Sequence, residues 1–264
     1  AMNTAGQETV DGIRVAVDGI QFKGENLRDS ITISTPDKII TAADRDRVLE
    51  QATNGCKLAK EEMVIHRLPQ ITNIHLALKN ADLEGADLWY SPLASAEAVL
   101  SREDRDNGAV VVDIGEQLTH MGVFLHGALF HSAVIPIGGE HFTRDLEITR
   151  HLGGMASAER IKVRYGTVLP TLVPAEESVE LEEEGRLVPR REIADVLQAR
   201  AAELLNHVSA EMARTGLTHE IHGGVHLVGG GALLTHLPIL AQTLLGRPRV
   251  VLGRIQGVVG LPQA

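Results

Sequence analysis

The first residues that could do chemistry lie at the end of a predicted buried strand. Residues 109–112 form an unbroken apolar run, which is typical of a strand covered on both faces, and Asp113-Ile114-Gly115 follows it directly. In a hairpin of this kind, backbone N–H groups at small residues can hold phosphate oxygens, and an aspartate can hold Mg²⁺ through water. Asp113 could equally cap a turn, so both interpretations stay open.

A second buried strand, residues 225–228, runs into three glycines and an alanine at 229–232. A helix is predicted to follow from Leu233 to Leu245. Glycines let a planar group approach the backbone closely, and a helix N-terminus presents the positive end of its dipole. A simple turn rarely needs three consecutive glycines, so this segment is a candidate ligand contact.

Glu159 and Lys162 stand three positions apart in a predicted helix, residues 155–166, and therefore share one face. Such a pair could clamp the hydroxyl groups of a sugar. It could also be an ordinary surface ion pair worth at most about 0.5 kcal/mol. The spacing is compatible with both.

Several other chemistries find no support in the sequence. Five of the twelve histidines fall between positions 120 and 151, but none forms a His-Glu-x-x-His pair. The chain has a single cysteine, Cys56, which excludes an intrachain disulfide and a cysteine-based zinc site. The chain contains neither a Gly-x-Ser-x-Gly elbow nor a P-loop. We therefore predict no metal centre built from histidine or cysteine.

Composition narrows the class of partner. The 264 residues include 35 acidic and 25 basic side chains, for a net charge of −10, and aromatic residues make up 3%. Nucleic-acid binding needs a concentrated basic surface and often aromatic stacking platforms, so nucleic acid is not expected as the main partner. The sequence contains no run of about 18 apolar residues, so no membrane-spanning helix is predicted.

The elements that must position these residues follow from hydrophobic periodicity. The first part of the chain, about 10–70, is predicted to be a small α+β unit with strands at 13–17, 30–34 and 63–68 and a helix after Thr41. Further helices are predicted at 71–83, 95–100, 142–152, 155–166 and 190–215. Further strands are predicted at 88–90, 109–115, 121–125, 129–137, 225–228 and 250–252, with 109–137 forming a meander. The acidic segment 176–184 is predicted to be a solvated hairpin or loop.

Taken in order, several segments resemble FtsA, the family of bacterial actin-like cell-division proteins that tether FtsZ filaments to the membrane. The matching segments are Ser91–Leu100, Val110–Gly115, Ile135–Gly139, Ala158–Gly166 and Leu227–Leu234. Nearer the N-terminus, Ser30–Ile33, Ile40–Glu50 and Val64–Gln70 resemble the small extra subdomain that distinguishes this family from other actin relatives. The resemblance covers nearly the whole chain.

The resemblance implies an α/β, ribonuclease-H-like and actin-like ATPase fold with a small FtsA-type α+β extra subdomain. It also implies ATP or ADP, with Mg²⁺, held between two lobes. The expected division is 1–70 for part of the small subdomain, 71–108 for a remnant of the first lobe, 109–154 with 216–264 for the core of the second lobe, and 155–215 for its upper subdomain.

The same resemblance assigns expected roles to individual residues. The phosphate hairpin would use Asp113 and Gly115, with Asp113 also serving the metal; Glu159 and Lys162 would lie near the ribose; and Gly229, Gly230, Gly231 and Ala232 would surround the adenosine. The FtsZ C-terminal tail would bind the subdomain that contains the helix 190–215. Arg191, Arg200 and Asn206 are the expected exposed contacts for its carboxylates, although each could also belong to a plain solvated face.

The chain departs from the family pattern in the phosphate hairpin. Members of the family have Asp-Ile-Gly-Gly-Gly-Thr-Thr-Asp, whereas residues 113–120 are Asp-Ile-Gly-Glu-Gln-Leu-Thr-His. A carboxylate at Glu116 about 4 Å from a phosphate charge would cost about 4 kcal/mol at an effective dielectric constant of about 20. Glu116 and Gln117 also add Cβ atoms where glycine permits close approach. We expect ATP hydrolysis to be weak or absent, and glycine at both positions to strengthen nucleotide binding.

Three further departures concern missing segments. A first phosphate loop of the Asp-x-Gly-Thr type is not found before Ile13, several dozen residues are absent at the junction Gln70-Ile71, and no amphipathic membrane-targeting helix precedes Ala264. A true deletion would leave unpaired sheet edges. The chain could be a reduced relative without ATPase activity, but for this reason we favour segments of a longer chain that are omitted or disordered, or a partner that completes the fold.

The leading hypothesis is an actin-like scaffold of the bacterial division machinery that recruits FtsZ and other division proteins. Such a protein would self-associate and work in the cytoplasm at the inner face of the cell membrane. One alternative is an active ATPase that polymerises with ATP. Another is a pilus-assembly scaffold of the PilM type, against which the extra N-terminal subdomain counts.

Overall fold

The computed structural model describes residues 14–17, 43–44, 47, 79–80, 87–181 and 185–255. The chain forms two compact units, one from residues 1–15 and 25–89 and the other from 16–24 and 90–264. Strands β1 (Arg14–Val17) and β2 (Asp87–Tyr90) pair in a two-stranded sheet, and residues 43–44, 47 and 79–80 are helical. The strands predicted at 30–34 and 63–68, and most of the predicted small subdomain and of the helix 71–83, lie outside the described residues.

The second unit contains the remaining elements. Its further strands are β3 (Ala109–Ile114), β4 (Thr119–Leu125), β5 (Ala128–Ile135), β6 (Ser178–Leu181), β7 (Arg186–Pro189), β8 (Gly224–Val228) and β9 (Val250–Leu252). Its helices are α1 (Ser91–Val99), α2 (Arg102–Asp106), α3 (Gly139–Arg150), α4 (Met155–Tyr165), α5 (Arg190–Arg214) and α6 (Leu237–Leu245), with short 3₁₀ turns at Pro170–Leu172, Thr218–Glu220 and Gly230–Leu233.

A five-stranded sheet organises this unit, in the order β5-β4-β3-β8-β9. The first three strands form the predicted antiparallel meander, and β8 and β9 continue it in parallel from β3. In this register Asp113 lies between His120 of β4 and Val228 of β8. Because β3 and β8 are parallel, the residues that follow them emerge at the same edge of the sheet.

Both faces of β3 are covered, which explains its unbroken apolar sequence. Val110, Val112 and Ile114 belong to the larger core, to which α3, α4, α5 and α6 contribute. Ala109 and Val111 belong to a smaller core with residues of α1. Helix α5, predicted over 190–215, buries one apolar face, which consists of Ile193, Ala194, Leu197, Ala201, Leu204, Leu205, Val208 and Met212. Within the described part of the chain, no helix is long and apolar enough to cross a bilayer.

The acidic segment forms part of the predicted hairpin, made by β6 and β7. Val179 and Leu181 are buried whereas Ser178 and Glu180 are exposed, the alternation expected for a strand with one face in water. Residues 182–184 lie outside the described residues.

The structure corrects the predicted start of the last helix. Helix α6 begins at Leu237 rather than Leu233, and Gly230–Leu233 forms a 3₁₀ turn instead. A helix from Leu233 would place Pro238 in its interior, where proline lacks the N–H of the hydrogen-bond ladder; in the observed helix Pro238 lies in the first turn, where that loss is tolerated. The dipole of α6 therefore does not begin at the glycine run.

Candidate functional site

The two glycine-bearing strand ends adjoin each other. A Cβ atom built on Gly229 would lie 2.5 Å from Asp113 Oδ1 and 2.5 Å from the carbonyl oxygen of Ile114. The turn after β8 thus packs directly against the end of β3. In open α/β sheets, ligands commonly bind outside the carboxyl ends of the strands, which is where both segments lie.

A cavity of about 660 Å³ opens beside these strand ends, a size typical of small-molecule sites. Five residues predicted as ligand contacts line it: Gly115, Glu159, Lys162, Gly230 and Gly231. They come from the β3–β4 hairpin, from α4 and from the turn after β8. The sequence analysis missed the contributions of Gly139, Glu140, Phe142 and Thr143 from α3, Met155, Ala156, Val163 and Gly166 from α4 and its end, and Leu233, Leu234 and Thr235. The pair Gly138-Gly139 at the start of α3 was the one sequence signal for the contributions of α3.

Three predicted contacts lie beside the cavity rather than among its described lining residues. Asp113 Oδ2 accepts a hydrogen bond from Ser95 Oγ of α1, at 2.6 Å. Ala232 is buried, and Gly229 packs on β3. Among the described residues, no group of three histidine, cysteine, aspartate or glutamate side chains is placed to hold a metal ion.

The three consecutive glycines differ in their surroundings. Gly229 has φ +84°, a left-handed conformation that side chains rarely adopt, and a Cβ atom on Gly231 would lie 2.4 Å from Ile114 Cγ2. A Cβ atom on Gly230 would meet no atom of the described residues within 4 Å. Two of the glycines are therefore required by packing on β3, and Gly230 alone presents an unobstructed backbone to the cavity.

Lys162 joins α4 to the first turn of α3. Its Nζ donates hydrogen bonds to Gly139 O and Thr143 Oγ1, each at 2.9 Å, and lies 2.7 Å from Glu159 Oε2. An ammonium group has three N–H donors, so these three partners engage all of them. The side chain is 13% exposed, which makes Lys162 a largely internal link rather than a surface cation.

Glu159 is the carboxylate that binds both Lys162 and Thr143. Burial favours a higher pKa for Glu159, but hydrogen bonds from Lys162 and from Thr143, with the charge of Lys162, outweigh it and hold the pKa below its ordinary value. The carboxyl is therefore ionised at neutral pH. Both hydrogen bonds use Oε2, which leaves Oε1 as an acceptor for a ligand hydroxyl.

The β3–β4 hairpin is fastened to the start of α3. Gly115 N–H closes the turn on Leu118 O at 3.0 Å, while the N–H groups of Gly139 and Glu140 donate to Gly115 O and Glu116 O at 2.8 and 2.7 Å. A Cβ atom on Gly138 would lie 2.5 Å from Glu116 O, so the approach depends on glycine there. The first amides of α3 are thereby committed to the hairpin.

The long helix α5 carries the three predicted partner contacts, and the structure corrects one of them. Arg191 is exposed, with Nη2 donating to Val173 O at 3.2 Å, and Asn206 is exposed beside a shallow groove. Arg200 is not the exposed cation that was expected. Its guanidinium binds both carboxylate oxygens of Asp145 in α3, at 2.6 and 2.9 Å, contacts Glu203 as well, and leaves the side chain 22% exposed.

Comparisons with known families and proteins agree with one another. The family model described as "Cell division protein FtsA" matches residues 110–263. The cell division protein FtsA of Pseudomonas aeruginosa is 33% identical over 213 residues, covering 79% of this chain and 51% of the relative. That of Escherichia coli K12 is 33% identical over 215 residues (77% and 50%), and that of Bacillus subtilis is 26% identical over 274 residues (88% and 62%). The chain thus spans about half the length of the first two relatives.

Similar solved structures identify the fold. MreB5 of Spiroplasma citri bound to ADP superposes with a TM-score of 0.55 at 17% identity, covering 81% of this chain and 61% of that protein. A MamK double helical filament superposes with a TM-score of 0.50 at 16% identity, covering 66% and 57%. The fold is actin-like, as expected from the sequence.

Proposed function

The chain belongs to the FtsA family of cell division proteins, and from this premise we propose that it is an actin-like scaffold that recruits FtsZ and other proteins of the bacterial division machinery. The observation that carries the proposal is the family match over residues 110–263, which includes the sheet, the cavity and α5. Because the chain spans about half of its relatives, its partners, its self-association and its position at the inner face of the cell membrane all belong to the proposal.

We propose that α5, within an upper subdomain formed by 155–215, carries the surface for the FtsZ C-terminal tail. Arg191 and Asn206 are exposed and can donate hydrogen bonds to carboxylates of such a peptide. Arg200 contributes indirectly, because its paired hydrogen bonds to Asp145 hold α5 against α3.

A pull-down tests this surface by comparing an immobilised FtsZ tail peptide with a pilus-assembly peptide. We expect retention on the FtsZ peptide, and Arg191→Ala or Asn206→Ala to weaken it by about fivefold, because each removes one exposed polar contact. Arg214→Ala, at the far end of α5, is the matched control and should not change retention. Equal retention on both peptides would contradict the recruitment of FtsZ.

The second part of the proposal is that the cavity holds the adenosine part of a nucleotide. Glu159 Oε1 can accept a hydrogen bond from a ribose hydroxyl, while Gly230 and the apolar side chains of the lining can contact the base. Magnesium at Asp113 is also part of the proposal, although this carboxylate already accepts a hydrogen bond from Ser95. ATP and Mg²⁺ would supply phosphoryl chemistry when bound. The part of the nucleotide that the described residues would hold is the nucleoside, that is, the ribose and the base.

Turnover and sedimentation assays test this second part. We expect weak or no ATP hydrolysis, no nucleotide-dependent pelleting, and stronger nucleotide binding after the double change Glu116→Gly with Gln117→Gly. ATP-dependent pelleting would favour the polymerising ATPase instead. If the double variant binds ATP no better than the parent chain, Glu116 and Gln117 are not the residues that weaken nucleotide binding at the hairpin.

A further inference from the structure

We propose that the cavity selects adenine compounds of low charge, binding adenosine and AMP more tightly than ADP, and ADP more tightly than ATP, with no requirement for Mg²⁺. The inference rests on the proposed nucleotide site and concerns which ligand that site prefers. It follows from a mismatch within the cavity, whose described residues suit a nucleoside and do not suit a polyphosphate.

The lysine of the cavity is not available to a phosphate. Lys162 is the one cationic residue among the described lining residues, and its three donors are engaged by Gly139 O, Thr143 Oγ1 and Glu159 Oε2. A phosphate would have to break one of these contacts, two of which hold α4 to α3. A neutral ligand leaves them intact.

The start of α3 is equally committed. Helix N-termini bind anions through N–H groups that have no partner within the helix. Here the first two such groups, of Gly139 and Glu140, donate to Gly115 O and Glu116 O, and the third, of His141, donates to Gly138 O at 3.0 Å. These three amides of α3 are thus engaged by the hairpin and by the start of the helix itself, and a phosphate would have to displace one of these acceptors.

Negative charge acts in the same direction as the engagement of Lys162 and of the first amides of α3. Three carboxylate residues line the cavity, of which Glu140 is paired with Arg144 and Glu159 with Lys162. Glu116 is exposed, and within 87–181 and 185–255 no cation forms an ion pair with it. Each phosphate added to a ligand brings further negative charge towards this uncompensated carboxylate.

The opposite part of the cavity suits an uncharged planar group. Phe142, Met155 and Leu234 contribute apolar walls, and Val163 and Leu233 are 75% and 71% exposed. Large apolar side chains so exposed around a cavity mark a surface that a ligand can cover. Gly230 presents open backbone beside them.

Isothermal titration of the 264-residue chain tests the proposal. Adenosine, AMP, ADP and ATP are compared at constant ionic strength, each with and without Mg²⁺. We expect affinity to fall in that order, with adenosine about fivefold tighter than ATP, since this ratio corresponds to a screened charge repulsion of about 1 kcal/mol. The affinity for adenosine should not change with Mg²⁺.

Glu116→Gln supplies the decisive variant, and Glu176→Gln, an exposed glutamate outside the cavity lining, is the matched control with the same change in net charge. Glu116→Gln should raise the affinity for ATP about fivefold and leave that for adenosine unchanged. The control should alter neither.

The outcomes separate this inference from the function on which it rests. ATP with Mg²⁺ binding as tightly as adenosine, or Glu176→Gln reproducing the effect of Glu116→Gln, would overturn the selectivity and leave the nucleotide site standing. Failure of all four compounds to bind would overturn the nucleotide site itself, and the selectivity with it.

Discussion

The two ends of the parallel strand pair β3 and β8 both carry glycines, but they differ in whether all of those glycines are covered by neighbouring segments. At the amino end, Cβ atoms on Gly108, Gly223 and Gly224 would lie 2.2, 2.7 and 2.7 Å from carbonyl oxygens of Glu220, Asp104 and Arg249. Backbone from neighbouring segments fills the space that the missing side chains leave. At the carboxyl end, Gly229 and Gly231 are filled in the same way by β3, but Gly230 opens on the cavity.

This difference shows what a glycine-rich strand end means in an actin-like sheet. A glycine that another chain segment presses against is a packing requirement, and a strand end whose glycines are all pressed in this way is sealed. A glycine without such a neighbour leaves backbone open to a ligand. The amino end is sealed further by the ion pair between Asp104 and Arg249, at 2.6 Å, beside the buried His226.

The largest expected effect comes from exchanging a pressed glycine for alanine. Gly229→Ala combines a left-handed backbone with a Cβ atom 2.5 Å from two oxygens, and should lower the free energy of unfolding by about 3 kcal/mol. Gly230→Ala, the adjacent control, should cost less than about 1 kcal/mol. Urea denaturation measures both. Similar losses of unfolding free energy in the two variants would contradict the distinction between glycines that a neighbouring segment covers and Gly230, which none covers.

Lys162→Met tests whether the lysine beside the cavity stabilises the fold or serves only to contact a ligand. Removing two hydrogen bonds between α3 and α4, and a third contact within α4, should lower the free energy of unfolding by about 2 kcal/mol in the absence of any ligand. Arg160→Met, at an exposed position of the same helix, should have a smaller effect, since exposed charged contacts contribute at most about 1 kcal/mol. Were Lys162 merely a ligand contact, its loss would be visible only with the ligand present.

Asp104→Asn tests the sealed end. The Asp104 carboxylate accepts hydrogen bonds from Ser101 Oγ at 2.7 Å and from Arg249 Nη1 at 2.6 Å, and is 11% exposed. Loss of its charge should lower the free energy of unfolding by about 1 kcal/mol in urea denaturation. The control is Asp106→Asn, at the more exposed end of α2, for which no measurable change is expected. Equal effects would show that the ion pair does not stabilise this end.

The smallest effect concerns pH. Burial lowers the pKa of His226 and outweighs the hydrogen bond with Gly223 O and the charge of Asp104, which favour a higher pKa; repulsion from Arg249 adds a smaller lowering. The unfolded chain, in which this histidine titrates near its ordinary value of 6.5, therefore takes up the proton first, so stability falls as pH decreases below that value.

Unfolding free energies measured between about pH 7 and pH 5 should show this fall. It should be shallower in His226→Gln, and unchanged in His222→Gln, which alters an exposed histidine nearby. Parallel pH profiles for the parent chain and His226→Gln would assign the dependence to other groups.

Local patterns were enough to predict most elements of the second unit. The meander, the buried strand before the glycines and the stripe of α5 follow from runs and periods that extend over a few residues. The start of α6 was predicted wrongly. The prediction followed the apolar residues from Leu233 onwards and did not take into account that Pro238 is tolerated only in the first turn of a helix. The pairing of Arg200 was missed as well, because its partner Asp145 lies 55 positions away and on another helix.

The sequence by itself determined the order of most strands and helices of the second unit, the resemblance to the FtsA family, and the two glycine-bearing strand ends. These depend on side-chain chemistry repeated over short distances. Only the tertiary structure decided that Lys162 and the first amides of α3 are already engaged and that Gly230 is open. Whether a donor is free depends on partners remote in sequence, and folding brings those together.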